Sequence, residues 1–343
     1  MSTDASQPEG TDAPRTEPAP IRWGILGTGG IAAQFTTDLL AEGLTVAAVG
    51  SRSAESAQAF ASRFGLPAAH GSYAELVADP QVDVVYVASP HPFHAEHALL
   101  ALEAGKHVLV EKPFALNAEQ AEQIAAAARQ RGLIALEAMW TRFLPHMVRL
   151  REIIAAGTLG DVRTVLADHD QRLPSDPAHR INDPALGGGA LLDLAIYPVS
   201  FAVDVLGLPS RVIAHATMSS TGVDRQTALI FEHEGGRQSV SHSAIDTAGP
   251  VTATVIGTEA RVEIDGSWYG ATTFSVIDPQ KQVIERYDRP VLSRGMQYQA
   301  LELERMLRAG EVESPLLPLS ESVAIMRVLD EVRSQIGLRY PGE

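Results

Sequence analysis

The chain has 343 residues, 45% hydrophobic and 20% charged, the proportions of a globular protein of about two domains. A formal net charge of −15 with no basic run offers little attraction to a phosphate backbone or an anionic leaflet, which argues against nucleic-acid and membrane partners. The absence of cysteine excludes thiol catalysis, disulfides and cysteine-ligated zinc, so redox chemistry must come from a bound cofactor.

Residues 1–20 are dominated by Ser, Thr, Asp, Glu, Ala and Pro, with neither a basic start nor a signal-length apolar stretch, and read as a disordered tail. No uncharged apolar run approaches the roughly 20 residues of a spanning helix, so a cytoplasmic protein is expected. From Ile21 short apolar runs alternate with helical segments, the rhythm of βαβ units. Strands are expected at 21–26, 45–50, 82–88, 107–110 and 133–137. Ser72, with Glu75 three residues on, and Asn117, with Gln120, read as helix caps. Residues 21–140 are therefore expected to form a Rossmann domain on a doubly wound parallel sheet.

Residues 141–343 change rhythm: a helix at 145–156, then strands from 161 to 287 with a helical interruption around 188–206. Segments 226–233 and 238–245 flank Gly235-Gly236 as an antiparallel hairpin, and two helices close the chain at 294–309 and 320–336, the second opening on Ser320. This is an α+β domain on a large, mostly antiparallel open sheet, expected to serve substrate binding and dimerisation.

Gly27-Thr28-Gly29-Gly30-Ile31-Ala32 falls between the first strand and a helix, where the dinucleotide fingerprint requires it. Gly27 permits the tight turn, Gly29 lets backbone approach a pyrophosphate, and Ala32 lets helix pack on strand, with free amides facing the anion. The next strand ends in Gly50-Ser51-Arg52, with no acid to take a ribose hydroxyl. Ser51 and Arg52 suit a 2′-phosphate, so NADP is expected ahead of NAD.

Ser89, His91 and His94 follow the next strand, and Glu111-Lys112-Pro113 the one after, at the carboxyl ends where open α/β sheets build their crevice. With the glycine fingerprint, Glu-Lys-Pro resembles the glucose-fructose oxidoreductase and inositol dehydrogenase superfamily, Gfo/Idh/MocA, over nearly all the chain from Ile21. Glu137-Ala-Met-Trp140-Thr-Arg142-Phe-Leu-Pro145 and Gly187 to Pro198 are similar to its dimeric dihydrodiol dehydrogenase and NADP-dependent xylose dehydrogenase branch. That resemblance implies that Tyr197, standing where most of the superfamily has histidine, transfers the proton, with Lys112 beside it. The chemistry agrees, since an ammonium favours a nearby phenolate and alcohol oxidation needs a base.

Asp193 lies four residues before Tyr197, on one helical face with it, where it can hold a substrate hydroxyl or orient Lys112. Trp140 and Arg142 are expected to line the cofactor pocket, although an aromatic packed between domains reads the sequence nearly as well. His91, His94 and His97 recur every three residues, but without cysteine, and with His97 inside a helix, no metal site is expected. By the resemblance this segment borders the nicotinamide, and His94 is a cofactor-side contact.

His169-Asp170 and His179-Arg180 are expected to face substrate, with His169 and Arg180 as contacts. Relatives often carry Phe-Gly where this chain has His169-Asp170, and usually Gly where it has Ala195, which bears on the identity of the substrate.

The expected activity is hydride transfer between NADP and a hydroxyl-bearing carbon of a pyranose such as xylose or glucose. A trans-dihydrodiol or other cyclic alcohol is the alternative substrate. A non-catalytic dinucleotide- and sugar-sensing protein is the alternative of another class, disfavoured because Lys112 and Tyr197 are both retained. Alternating strands between Val212 and Tyr287, with the resembled family's habit of packing this sheet face on another subunit, imply a homodimer or a dimer of dimers.

Overall fold

The computed structural model describes residues 19–341, so most of the expected 1–20 tail lies outside the described residues. Strands β1 (Arg22–Leu26), β2 (Thr45–Gly50), β3 (Ala68–His70), β4 (Val84–Val87), β5 (His107–Glu111) and β6 (Ala135–Ala138) form a parallel sheet in the order β3-β2-β1-β4-β5-β6. The runs VVYV in β4 and HVLVE in β5 are buried along nearly their whole length, as a sheet covered on both faces requires.

Helices α1 (Gly30–Ala41), α2 (Ala54–Phe64), α3 (Tyr73–Ala78), α4 (His94–Glu103) and α5 (Ala118–Arg131) connect the strands. The Ser72 hydroxyl accepts the Glu75 amide and Asn117 accepts that of Gln120, as expected, while Ser53 caps α2. Strand β3 was not expected. It has three half-buried residues, too few for a readable period, and its His70 carbonyl accepts the Ser51 amide at 3.1 Å.

The second sheet contains β7 (Val162–Asp170), β8 (Pro209–Met218), β9 (Asp224–His233), β10 (Arg237–Ala244), β11 (Ala253–Gly257), β12 (Arg261–Ile264), β13 (Phe274–Ile277) and β14 (Val283–Tyr287), ordered β14-β13-β12-β11-β7-β10-β9-β8. All neighbours are antiparallel except β7 and β10. Helices α6 (Pro145–Ala155) and α7 (Ile196–Leu206) belong to this half, α7 backing β7 and β10. The stretch Pro184–Leu206 has the length and mean hydropathy, 1.6, of a membrane span, yet 89% of its most apolar window is buried inside the protein, which makes it a core element here.

The closing helices are α8 (Gln297–Ala309) and α9 (Leu319–Ile336). Residues 294–296 do not join α8: the carboxylate of Asp38 on α1 accepts the Ser293 hydroxyl and the Met296 amide, holding this segment against the first sheet's helix. Helix α9 starts after Pro318, so Ser320 sits within its first turn and caps nothing. Both helices reach back to the first sheet, Trp23 Nε1 donating to Glu304 at 3.0 Å and the Ala118 amide to Asp330 at 2.8 Å.

The face of the second sheet turned away from α7 is open. Leu166, Val240, Ile230 and Ile213 are direct cross-strand partners on β7, β10, β9 and β8, and each remains 39–42% exposed. They make one continuous apolar row across four strands.

Candidate active site

A cleft of about 560 Å³ opens at the carboxyl ends of the parallel strands and is walled on the far side by the second sheet. At its base the Gly27–Gly30 turn runs from β1 into α1. Gly27 holds φ at +113° with its amide bonded to Gly50, and a Cβ there would lie 3.0 Å from the Ala88 carbonyl. Cβ atoms on Gly29 or Gly30 would meet nothing within 4 Å, and no side chain caps α1, so its first amides stand open to an anion. Thr28, Ile31, Ser51 and Arg52 line the same end. The residues present therefore fit the phosphates of a dinucleotide.

Ser89, His91 and His94 line the next part of the wall. His94 places Nδ1 at 2.8 Å from the Pro113 carbonyl and Nε2 at 2.8 Å from that of Ser89, and burial lowers its pKa to about 4. His91 meets the Gly187 carbonyl at 3.1 Å, and burial lowers it to about 3. His97 points to the Ser89 hydroxyl at 2.9 Å. The three rings thus face carbonyl and hydroxyl oxygens rather than one common point.

Glu111, at the end of β5, accepts the Tyr86 hydroxyl and the Lys112 amide and is buried. Lys112 Nζ donates to the Asp193 carbonyl at 2.7 Å and lies 3.4 Å from its carboxylate. The sequence spacing predicts an α-helix here; the structure has a π-helical turn, Leu191–Ala195, running into α7. In that register the Asp193 carbonyl would accept from residue 198, and Pro198 has no N–H, so the carbonyl is left for Lys112. The carboxylate of Asp224 anchors the turn by accepting the Leu191 amide at 2.7 Å, and Asp224 itself is missing from the sequence reading.

Burial opposes the Lys112 charge, but Asp193, Tyr197 and Glu111 outweigh it and hold its pKa above the ordinary lysine value. Burial likewise opposes the Asp193 carboxylate, but Lys112 and Arg180 pull it well below the usual carboxylate range. Arg180 reaches Asp193 at 3.3 Å with both terminal nitrogens. Asp193 is thus a fixed anion held between two cations, the arrangement that a buried charge needs.

The Tyr197 oxygen accepts from Trp140 Nε1 at 3.0 Å, while Lys112 Nζ sits 5.0 Å from its ring centre. The sequence reading has Lys112 favouring the phenolate. Burial comes first and Glu111 adds to it; together they exceed the pull of Lys112, so the Tyr197 pKa is raised and its resting form is the phenol. His169 lies 5.0 Å from Tyr197, ring centre to ring centre, and stacks on Tyr269 at 4.2 Å, completing an aromatic wall.

Four positions depart from their expected places. Trp140 does not line the cleft but stands behind Tyr197 as its hydrogen-bond donor. Arg142 is buried away from the cleft, bonded to Asp204, Glu321 and Ser200. Asp170 points to the opposite face of β7 from His169 and pairs with His242 at 2.8 Å, and His179 caps a short turn through Nδ1. Tyr269, Gln171 and Arg294 also line the cleft. They come from strand ends and loops around the second sheet, where no local pattern announces them.

The placement of Arg142 has a direct consequence. Arg142→Met should cost about 1 to 3 kcal/mol of stability, because it removes the hydrogen bonds of a buried guanidinium to Ser200 and Glu321 and leaves Asp204 with Arg151 alone, while dinucleotide affinity stays within about twofold. Thermal denaturation beside a dinucleotide titration checks this; a selective loss of affinity would restore the arginine to the cofactor pocket.

Residues 21–138 match a family model described as an oxidoreductase family with an NAD-binding Rossmann fold, and residues 147–263 match the GFO/IDH/MocA C-terminal domain. The trans-1,2-dihydrobenzene-1,2-diol dehydrogenase of Mus musculus is 37% identical over 334 residues, covering 94% of this chain and 98% of that protein. The Homo sapiens enzyme of the same name is 36% identical, with the same coverage of 94% and 98%. Among solved structures, the aldose-aldose oxidoreductase of Caulobacter crescentus superposes with a TM-score of 0.83 at 25% identity, over 92% of this chain and 97% of that one. A 3-ketoreductase from Actinomadura kijaniata, in complex with NADP and TDP-benzene, gives 0.81 at 27%, over 93% and 98%. The glycine turn, the Glu-Lys-Pro strand end, the paired sheets and these full-length likenesses together make the chain an oxidoreductase of the Gfo/Idh/MocA family, in its dihydrodiol dehydrogenase branch.

Proposed function

We propose that the protein is an NADP-preferring dehydrogenase of a cyclic vicinal diol, with Tyr197 and Lys112 as its proton-transfer pair. The observation that carries this reading is the convergence of the Lys112 ammonium and the Tyr197 phenol in one cleft with the glycine turn. The aromatic wall of Tyr197, Tyr269 and His169 suits a ring better than an open chain, and the dihydrodiol dehydrogenase relatives favour the diol over the pyranose put first from the sequence. A pyranose is the second reading, supported by the likeness to an aldose-aldose oxidoreductase.

A nicotinamide dinucleotide held by the Gly27–Gly30 turn, Ser51 and Arg52 would supply the two-electron chemistry, hydride exchange with the carbinol carbon. The protein's part is the proton and the charge. Lys112, fixed by Asp193, donates to the reacting oxygen, and Tyr197 exchanges the hydroxyl proton, its own oxygen held in place by Trp140. Because the resting group is a phenol, it is ready to give a proton to a forming alkoxide and must lose one before it can serve as base.

For the cofactor, Arg52 offers a guanidinium with no hydrogen-bond partner among the described residues, beside the Ser51 hydroxyl, at the strand end where the ribose is read. Arg52→Ala should weaken NADP by about 1.5 to 3 kcal/mol and leave NAD nearly unchanged. Equal losses for both dinucleotides, or a wild-type preference for NAD, would refute this assignment.

The exposed apolar row on the second sheet supports a homodimer, since a patch of that kind on a lone chain is a liability. Light scattering at micromolar concentration should give twice the chain mass, and Ile230→Asp with Val240→Asp should shift it to the monomer. A monomeric wild type would remove the proposal.

Tyr197→Phe should lower turnover about 10²- to 10⁴-fold while NADP affinity barely moves. The raised pKa sets the pH dependence: the phenol persists to beyond the ordinary tyrosine value of about 10, so kcat/KM for oxidation should climb with pH through the neutral and alkaline range, whereas reduction stays level. An oxidation profile already flat near neutrality would assign the base to another group.

A further inference from the structure

Arg294 lines the cleft on the side of the reacting pair. Its guanidinium lies 5.1 Å from the ring centre of Trp140, the same indole whose nitrogen holds the Tyr197 oxygen. That side chain is solvent-exposed and makes no hydrogen bond or ion pair among the described residues, and its backbone is not free to wander, because Asp38 pins the flanking Ser293 and Met296.

No acid in the cleft pairs with it directly, and Glu111, which feels its charge, is hydrogen-bonded elsewhere. Arg52, Lys112, Arg180 and Arg294 face the cleft against only Glu111 and Asp193. Lys112 and Arg180 share Asp193, at 3.4 and 3.3 Å. Glu111 is occupied by the Tyr86 hydroxyl and the Lys112 amide, and burial pushes its pKa up. In a chain whose net charge is −15, the cleft still carries more positive than negative groups. A planar fork of donors on a pinned backbone, resting beside Trp140 and lacking an acceptor, matches a carboxylate or phosphate.

We infer that Arg294 binds an anionic substituent on the ring of the substrate, so that the enzyme's own substrates are acidic cyclic diols or sugar acids. This rests on the dehydrogenase reading above and narrows it. The ring would lie along Tyr197, Tyr269 and His169 with its reacting hydroxyl at Lys112 and Tyr197, and its carboxylate or phosphate would reach Arg294. The Arg52 end of the cleft is left to the dinucleotide.

The test uses the full-length, NADP-loaded protein and two probes that differ only in charge, 3,4-dihydroxycyclohexanecarboxylate and its carboxamide, titrated by calorimetry. The carboxylate should bind about ten- to hundredfold more tightly. In Arg294→Met the two probes should bind alike, and Arg294→Lys, which keeps the charge without the fork, should recover part of the difference. An NADP titration on each variant reports whether it is folded. Equal binding of the probes to the wild type, or a preference that survives Arg294→Met, overturns the inference. So does a tenfold loss of NADP affinity in Arg294→Met with probe discrimination intact, which would give the guanidinium to the cofactor's phosphates. Turnover of neutral diols is measured separately: no oxidation of any diol or sugar, with charge discrimination still present, would remove the dehydrogenase reading and leave the anion site standing.

Discussion

The contact on which the site depends is the one between the Lys112 ammonium and Asp193. It joins the end of a strand in the parallel sheet to a helical turn in the other half of the molecule, 81 residues later. Each group alone would be a buried charge costing several kcal/mol; together, with Arg180 on the outer side, they form a satisfied cluster whose geometry is fixed by its own electrostatics. Moving either one loosens the hold on the other, so the two halves of the cleft are held in register by groups that line it.

The π-helical turn makes that contact possible. An ordinary helix over 191–197 would leave the Asp193 carbonyl inside its own ladder; the extra residue and the missing Pro198 amide turn it outward. Asp224 secures the turn from below through the Leu191 amide, and its Oδ1 would lie 2.1 Å from a Cβ at Gly189, so this glycine is required by the anchor itself. The chain thus positions one carbonyl and one carboxylate with a glycine, a proline and a second buried acid, none of which touches the reacting atoms.

What was legible in the sequence follows from how local each signal is. Strands β2 and β5, the caps at Ser72 and Asn117, and the glycine turn are set by neighbours within a few residues, and they appear close to where the pattern puts them. That Lys112 and Tyr197 lie close together, 5.0 Å from nitrogen to ring centre, was accessible because the motif order of a resembled family carried it. The π turn and the depth of the Tyr197 phenol were not, since both depend on atoms distant in the chain. Arg142 shows the same limit from the other side: it stands in a motif of the resembled family, yet Asp204 and Glu321 hold its side chain away from the cleft. Tyr269 and Arg294 reach the site from beyond β12 and β14, in segments whose composition resembles any surface loop.

The bonds from Trp23 to Glu304 and from Ala118 to Asp330 bear on synthesis as much as on the finished fold. The parallel sheet is complete in sequence by Ala138, but the helices that cover its remaining apolar surface, α8 and α9, are the last described elements to leave the ribosome. At typical rates of about 5 to 20 residues per second, the sheet waits roughly 10 to 40 s for α9. During that interval Leu and Val side chains destined for the core stay reachable by chaperones and by other nascent chains. Yield in the cell is then governed by how long that surface stays uncovered as well as by the stability of the final structure.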